Sequence, residues 1–253
     1  KTQLSNPLSG VKNALLATTQ SLWAYDVLDI GRGMADVIRQ ENQIYVTKSG
    51  AKHLGVRHYE GGKISKLMDK TLFSWGFMRP TEGWARSFSV LTGKIDQKKH
   101  VEFLRSNPKE SKLYKRGKKR LKMFYELPEA DIKILEKYGY GHGKKLDGFK
   151  FESKFEQSKM ERKLETLHER MNLMAHTKTQ GASTALFMPS FASTKAIKPL
   201  TLYKRMAYAA TVNTTKNVKE AVKSGNYMKL VAGTLGTYFS GQALLGLYSE
   251  ILG

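Results

Sequence analysis

Cysteine is absent from the chain, which excludes disulfides, thiolate metal sites and a cysteine nucleophile and leaves the redox compartment undetermined. Acidic residues are scarce, with 22 Asp and Glu against 43 Lys and Arg. No charged n-region, apolar h-region and small-residue cleavage pattern opens the sequence, so no secretory signal is read. Lys1 stands first instead of methionine, as expected of a processed product or a segment of something longer. An internal repeat of useful regularity is also missing.

Catalytic signatures are missing too. Gly139-Tyr-Gly-His-Gly143-Lys-Lys145 invites comparison with a phosphate loop, whose glycines let backbone amides converge on an anion. The P-loop pattern needs glycine five residues before Gly143, where Tyr138 stands, and neither Ser nor Thr follows Lys144. A helix-terminating loop is the expectation. The six histidines do not form a ligand set: His53 and His58 are five apart, His168 and His176 eight apart, and His100 and His142 are remote. No two histidines flank a glutamate one helical turn apart, as a zinc protease requires. His168, between Glu165 and Glu169, reads as part of a solvated face. The carboxylates from Glu152 to Glu169 interleave with Lys and Arg in a surface pattern and nominate no acid/base pair. There is no nucleophile elbow. The expectation is a noncatalytic chain without metal or cofactor, although catalytic groups far apart in sequence would leave no such mark.

The chain has enough of everything else to fold. At 253 residues it can bury one large core or two small ones, and 40% hydrophobic with 26% charged residues is close to globular composition. What stands out is a net charge of +21 and a sequence pI near 9.9. Such an excess repels itself unless something negative lies close, so DNA, another polyanion or an acidic protein is the expected partner. The surplus is uneven. Residues 61–125 carry seventeen basic and five acidic groups, and residues 181–253 eight against two, whereas 126–180 are nearly balanced.

A mainly α fold is expected, an irregular multi-helix bundle with basic loops and at most a short strand or hairpin. Asn6-Pro7 suits a helix entry, with a helix to about Ile30, interrupted by Gly31 and Gly33 and resumed to Arg39. Gln43 to Thr47 is a strand candidate, Gly50 to Gly62 irregular, and Lys63 to Phe77 a helix stopped by Gly76 or Pro80. Trp84, Phe88 and Leu91 recur at helical intervals. Pro128 to Tyr138 forms a helix with acidic groups at its start, Lys137 at its end and Gly139 as its stop. Met160, Leu164, Leu167, Met171 and Met174 make a narrow apolar seam for pairing with another helix. Gln180 to Thr194 connects, Pro199 starts a helix towards Val222, and a last helix spans Tyr227 to Leu252. Two regions are expected, 1–125 and 126–253.

The densest cationic segment holds Lys112, Lys115, Arg116, Lys118, Lys119, Arg120 and Lys122 with no acidic group among them. These seven are the candidate nucleic-acid-binding residues, drawing phosphates without reading bases, with Tyr114, Phe124 and Tyr125 near enough to stack. An exposed basic loop or a subunit-packing surface is the plain alternative. Leu230 to Ser249 has no formal charge, but only eleven of its twenty residues are hydrophobic, and Ala232, Gly236 and Ser240 form a small-residue ladder. A buried helix in a protein assembly is the first reading, and conditional membrane contact through 227–253 the second.

His176-Thr-Lys-Thr-Gln-Gly181, Phe187-Met-Pro189 and Lys198-Pro-Leu-Thr-Leu-Tyr-Lys-Arg-Met-Ala-Tyr208, with Asn6-Pro-Leu-Ser-Gly-Val-Lys-Asn13, resemble C-terminal regions of large tailed-bacteriophage internal virion (ejection) and large polyvalent proteins. The resemblance covers about a third of the chain and brings no catalytic residue. It implies a helical structural protein inside the capsid or near the portal, associated with the genome, touching other virion proteins or copies of itself, and delivered with the genome into the host. The alternatives are a nucleic-acid-processing factor, such as part of a virion polymerase machine, and a membrane-active ejection segment.

Overall fold

A computed structural model describes residues 8–39, 78–141, 145–180, 211–223 and 225–252. They form eight helices and, among the described residues, no strand. In chain order these are α1 (Leu8–Ala24), α2 (Val27–Ile38), α3 (Met78–Ser106), α4 (Lys112–Met123), α5 (Glu129–Tyr138), α6 (Lys154–Gln180), α7 (residues 211–223) and α8 (Tyr227–Leu252). The mainly α expectation holds. The expected helix entry at Asn6-Pro7, the strand at Gln43 to Thr47, the helix at Lys63 to Phe77 and the connection after Gln180 lie outside the described residues, as do the first residues of the helix expected from Pro199.

Backbone packing divides the chain into two compact units, one drawn from Lys1–Thr92 and His176–Gly253, the other from Gly93–Ala175. The division does not follow the boundary at 125 read from composition. Both ends of the chain belong to one unit, and the middle forms the other.

In the first unit α1 ends sooner than its sequence suggests. The chain breaks at Tyr25-Asp26, where Asp26 is extended at φ −73° and ψ 144°, and α2 then runs straight through Gly31 and Gly33. The break is held from the far end of the sequence. Lys229 Nζ donates to the Ala24 carbonyl at 2.9 Å, satisfying an acceptor that a helix end leaves open, and Asn226 Nδ2 donates to Asp26 Oδ1 at 3.1 Å. Gly33 serves close packing, because a Cβ there would run into Thr92. α8 lies along α1 with its small residues inward. A Cβ at Gly233 would meet the Trp23 indole and one at Gly236 would meet Leu22, while Trp23 Nε1 donates to Thr237 Oγ1 at 3.1 Å and the Thr19 and Ser240 hydroxyls share a hydrogen bond at 2.7 Å. The ladder read from the sequence is thus the α1-facing side of α8. Among the described residues no helix is long and apolar enough to cross a membrane.

The second unit packs the C-terminal part of α3 with α4, α5 and most of α6 around Leu104, Leu121, Phe124, Ile132, Leu135 and Met171, all buried. The α6 seam behaves as its spacing predicts: Leu164, Leu167 and Met171 are buried, with Met160 and Met174 half-buried. α5 begins after Pro128 and ends on Gly139 at φ 85°, a conformation glycine adopts without a Cβ penalty.

His168 departs from its expected place. It is buried, its Nε2 accepts from the Gly141 amide at 3.1 Å, and its ring meets Tyr140 edge-on at 4.3 Å. Glu165 and Glu169 are exposed beside it, but on a helix one position of rotation separates the solvent side from the core. The glycine-rich stretch is therefore tied to α6 at Gly141, and again where Glu161 accepts from the Leu146 amide at 2.8 Å. Residues 142–144 lie outside the described residues.

Candidate functional site

The cationic segment is a helix. Ser111 caps α4 by accepting from the Tyr114 amide at 3.1 Å, and Arg120 and Lys122 occupy the last turn, where the helix dipole favours cations. Tyr114, Gly117, Arg120 and Leu121 recur at three- and four-residue intervals and turn inward. Lys112, Lys115, Arg116, Lys119 and Lys122 are exposed, and Lys118 is half-buried.

Among the seven candidate cations, Arg120 and Lys118 have intramolecular partners whose geometry is defined. Arg120 is 4% exposed; its Nε donates to Asp96 Oδ2 at 3.0 Å, and its guanidinium lies 3.7 Å from the Phe124 ring centroid. The Tyr125 hydroxyl donates to the same Asp96 oxygen at 2.8 Å, and His100 Nδ1 donates to the Asp96 carbonyl at 2.7 Å. Burial lowers His100 to about 4, outweighing the raising effect of the Asp96 carboxylate, so the ring is neutral at pH 7. Phe124 and Tyr125, expected as stacking platforms, are buried in this cluster with Tyr114 nearby in the core. Lys118 pairs with Glu129 at the start of α5, which raises the ammonium and lowers the carboxyl.

The exposed cations of α4 do not stand alone. Between α4 and α5 a cleft of about 650 Å³ is lined by Lys109, Lys115, Lys118, Lys133 and Lys137, with Tyr114, Ile132, Glu129 and Glu136. Both carboxylates are occupied: Glu129 by Lys118, and Glu136 by the Tyr114 hydroxyl, which donates at 3.2 Å. Burial and then the Glu136 carboxylate push the Tyr114 phenol up, so it stays a donor well above neutrality. Lys109, Lys115, Lys133 and Lys137 have no carboxylate within ion-pair distance among the described residues. Lys109, Lys133 and Lys137 belong to the site without lying in the dense run. In the sequence the four-residue step from Lys133 to Lys137 sets both on one face of α5.

Chemically the cleft offers ammonium donors over a Tyr and Ile floor, suited to phosphate or carboxylate oxygens. Among the described residues no three His, Asp or Glu side chains converge on a metal position. The architecture and surface define a basic, mainly helical chain with an open cationic cleft in its middle unit. No family model matches the chain, and no curated protein or solved structure does.

Proposed function

We propose that the chain is a noncatalytic polyanion-binding protein that contacts DNA through the α4–α5 cleft and the exposed face of α4. The observation that carries this reading is the gathering of Lys109, Lys115, Lys133 and Lys137 about a cleft whose two carboxylates are already engaged. Ammonium groups facing solvent without a carboxylate at ion-pair distance keep their charge available to phosphates, and each phosphate they neutralise releases condensed counterions. The cleft presents flexible ammonium groups, point charges that track phosphates, so the expected binding is mainly to backbone, with little sequence preference. A structural component of a phage virion, held against packaged DNA or acidic neighbours, fits this charge pattern and the resemblance drawn from residues 176–208.

The test is binding to mixed-sequence duplex DNA across a salt series, for the full chain and for Lys115→Ala/Lys133→Ala/Lys137→Ala. Wild type is expected to bind with a steep salt dependence, and the triple variant to lose roughly two to three units of slope, near one per phosphate contact. An unchanged slope would remove the cleft from the contact surface. Degradation or synthesis of nucleic acid by the purified chain would replace the structural reading with that of a processing factor.

A further inference from the structure

α8 is apolar on two opposite sides. One side, through Gly233, Gly236 and Ser240, is taken up by α1. On the other, Met228, Val231, Leu235, Tyr238 and Leu245 are 49% to 72% exposed, with Gln242 in line among them. Their spacing is three, four, three, four, three, which is the a/d pattern of a coiled coil with Met228, Leu235 and Gln242 at a and Val231, Tyr238 and Leu245 at d. Tyr227 and Phe239 flank the row and are also exposed.

We infer that this outward seam of α8 is a self-association surface, where a second copy of the chain packs its own α8 in parallel and in register. At these exposures the seam and its two flanking aromatics present at most roughly 800 Å² per copy for burial, comparable to one partner's share of a standard interface. That also exceeds the patch of about 300–600 Å² an ordinary monomer shows. The 3.5-residue repeat selects a helix of like periodicity as the occupant, crossing at about 20°. Gln242 selects a like sequence. In an in-register parallel pair it meets its twin, and each amide can donate and accept, whereas an apolar partner helix would bury it unsatisfied. Residues 230–249 carry no charge, so no cation lies within the seam from Val231 to Leu245 in a chain with a net charge of +21. α1 lies on the opposite side of α8 and leaves the seam open.

The experiment is sedimentation equilibrium of the full chain over a concentration series in about 0.5 M salt, where bridging by nucleic acid is screened. Wild type is expected to show a concentration-dependent dimer, and Leu235→Glu/Tyr238→Glu to weaken it by more than about tenfold with unchanged helical circular dichroism and, at concentrations where both are monomeric, unchanged melting, since both residues are exposed in the single copy. Because the chain has no cysteine, Gln242→Cys supplies an independent readout. It is expected to form a disulfide-linked dimer on mild oxidation, while Ala243→Cys, turned off the seam, is not. A wild type that stays monomeric, a dimer indifferent to the glutamates, or equal cross-linking of the two cysteines would overturn the inference. Flotation of a monomeric wild type with phosphatidylcholine vesicles would overturn it too, giving the seam to a lipid surface.

Discussion

Replacing Arg120 with alanine removes the guanidinium that balances the buried Asp96 carboxylate beside the neutral His100 ring. Breaking such a pair from one side costs about 3–5 kcal/mol, so urea unfolding of Arg120→Ala is expected to show a loss of that order. Lys115→Ala, at an exposed cation, is expected to stay within about 0.5 kcal/mol of wild type while reducing the salt slope of DNA binding by about one. If the two variants behaved alike in both assays, the division between a structural and an outward-facing cation would be wrong. His100 yields a pH prediction at the same scale. Its folded value of about 4 lies below the ordinary 6.5, so between these the unfolded chain takes up the proton first. Its contribution to stability is thus complete above pH 6.5 and is lost as pH falls to about 4, by up to about 3 kcal/mol. Buried His176, lowered to about 4 by burial and then by Arg86, acts in the same direction. Denaturant midpoints from neutral pH downward should fall less steeply in His100→Gln than in wild type; an identical slope would show that His100 does not titrate on unfolding.

Two glycines inside helices test the packing of elements with opposite signs. Alanine in place of a helical glycine ordinarily stabilises by about 1 kcal/mol. Gly31 in α2 has open space where a Cβ would stand, so Gly31→Ala is expected to raise the melting temperature. At Gly117 in α4 the same atom would lie 2.7 Å from the His100 carbonyl oxygen and 3.1 Å from Phe103 Cβ. Backbone cannot yield there cheaply, so Gly117→Ala is expected to destabilise by about 1–2 kcal/mol despite its better helix propensity. Melting curves of the pair decide it, and stabilisation of both would mean that α3 and α4 are not in close contact. The turn between α4 and α5 depends on an element distant in sequence. Glu126 sits at φ 54°, and Arg170 of α6 donates to its carbonyl at 3.0 Å. That tie holds the two helices that form the cleft.

For the whole molecule, a chain with a net charge of +21 is held together against its own repulsion, which weakens as salt screens it. Added salt should therefore stabilise the free protein while weakening its DNA complex. Thermal melts between about 0.05 and 0.5 M salt, with and without a DNA duplex, are expected to cross: the free chain melts higher at high salt, and the stabilisation by DNA disappears there. A DNA effect that survives high salt would point to contacts other than phosphate.

Helical class, the buried seam of α6, the bounds of α5 and the α1-facing ladder of α8 were legible in the residues, because each rests on local periodicity or on a proline or glycine that sets the backbone. The cationic run was legible as composition, and its outward face was not. Which of seven cations point to solvent depends on Asp96 from α3 reaching Arg120 and Glu129 from α5 reaching Lys118, pairings 24 and 11 residues apart. His168 was misplaced for the same reason, since only the Gly141 amide and Tyr140 arriving from another segment decide that its side of α6 is the core. Likewise α1 ends where Lys229 and Asn226 arrive, not where its own glycines stand. The sequence by itself determined which segments coil and how much positive charge they carry, because helix formation and net charge are local or additive properties. The tertiary structure alone decided which cations are neutralised and which gather around a cleft, because burial and ion pairing require partners that only folding brings within reach.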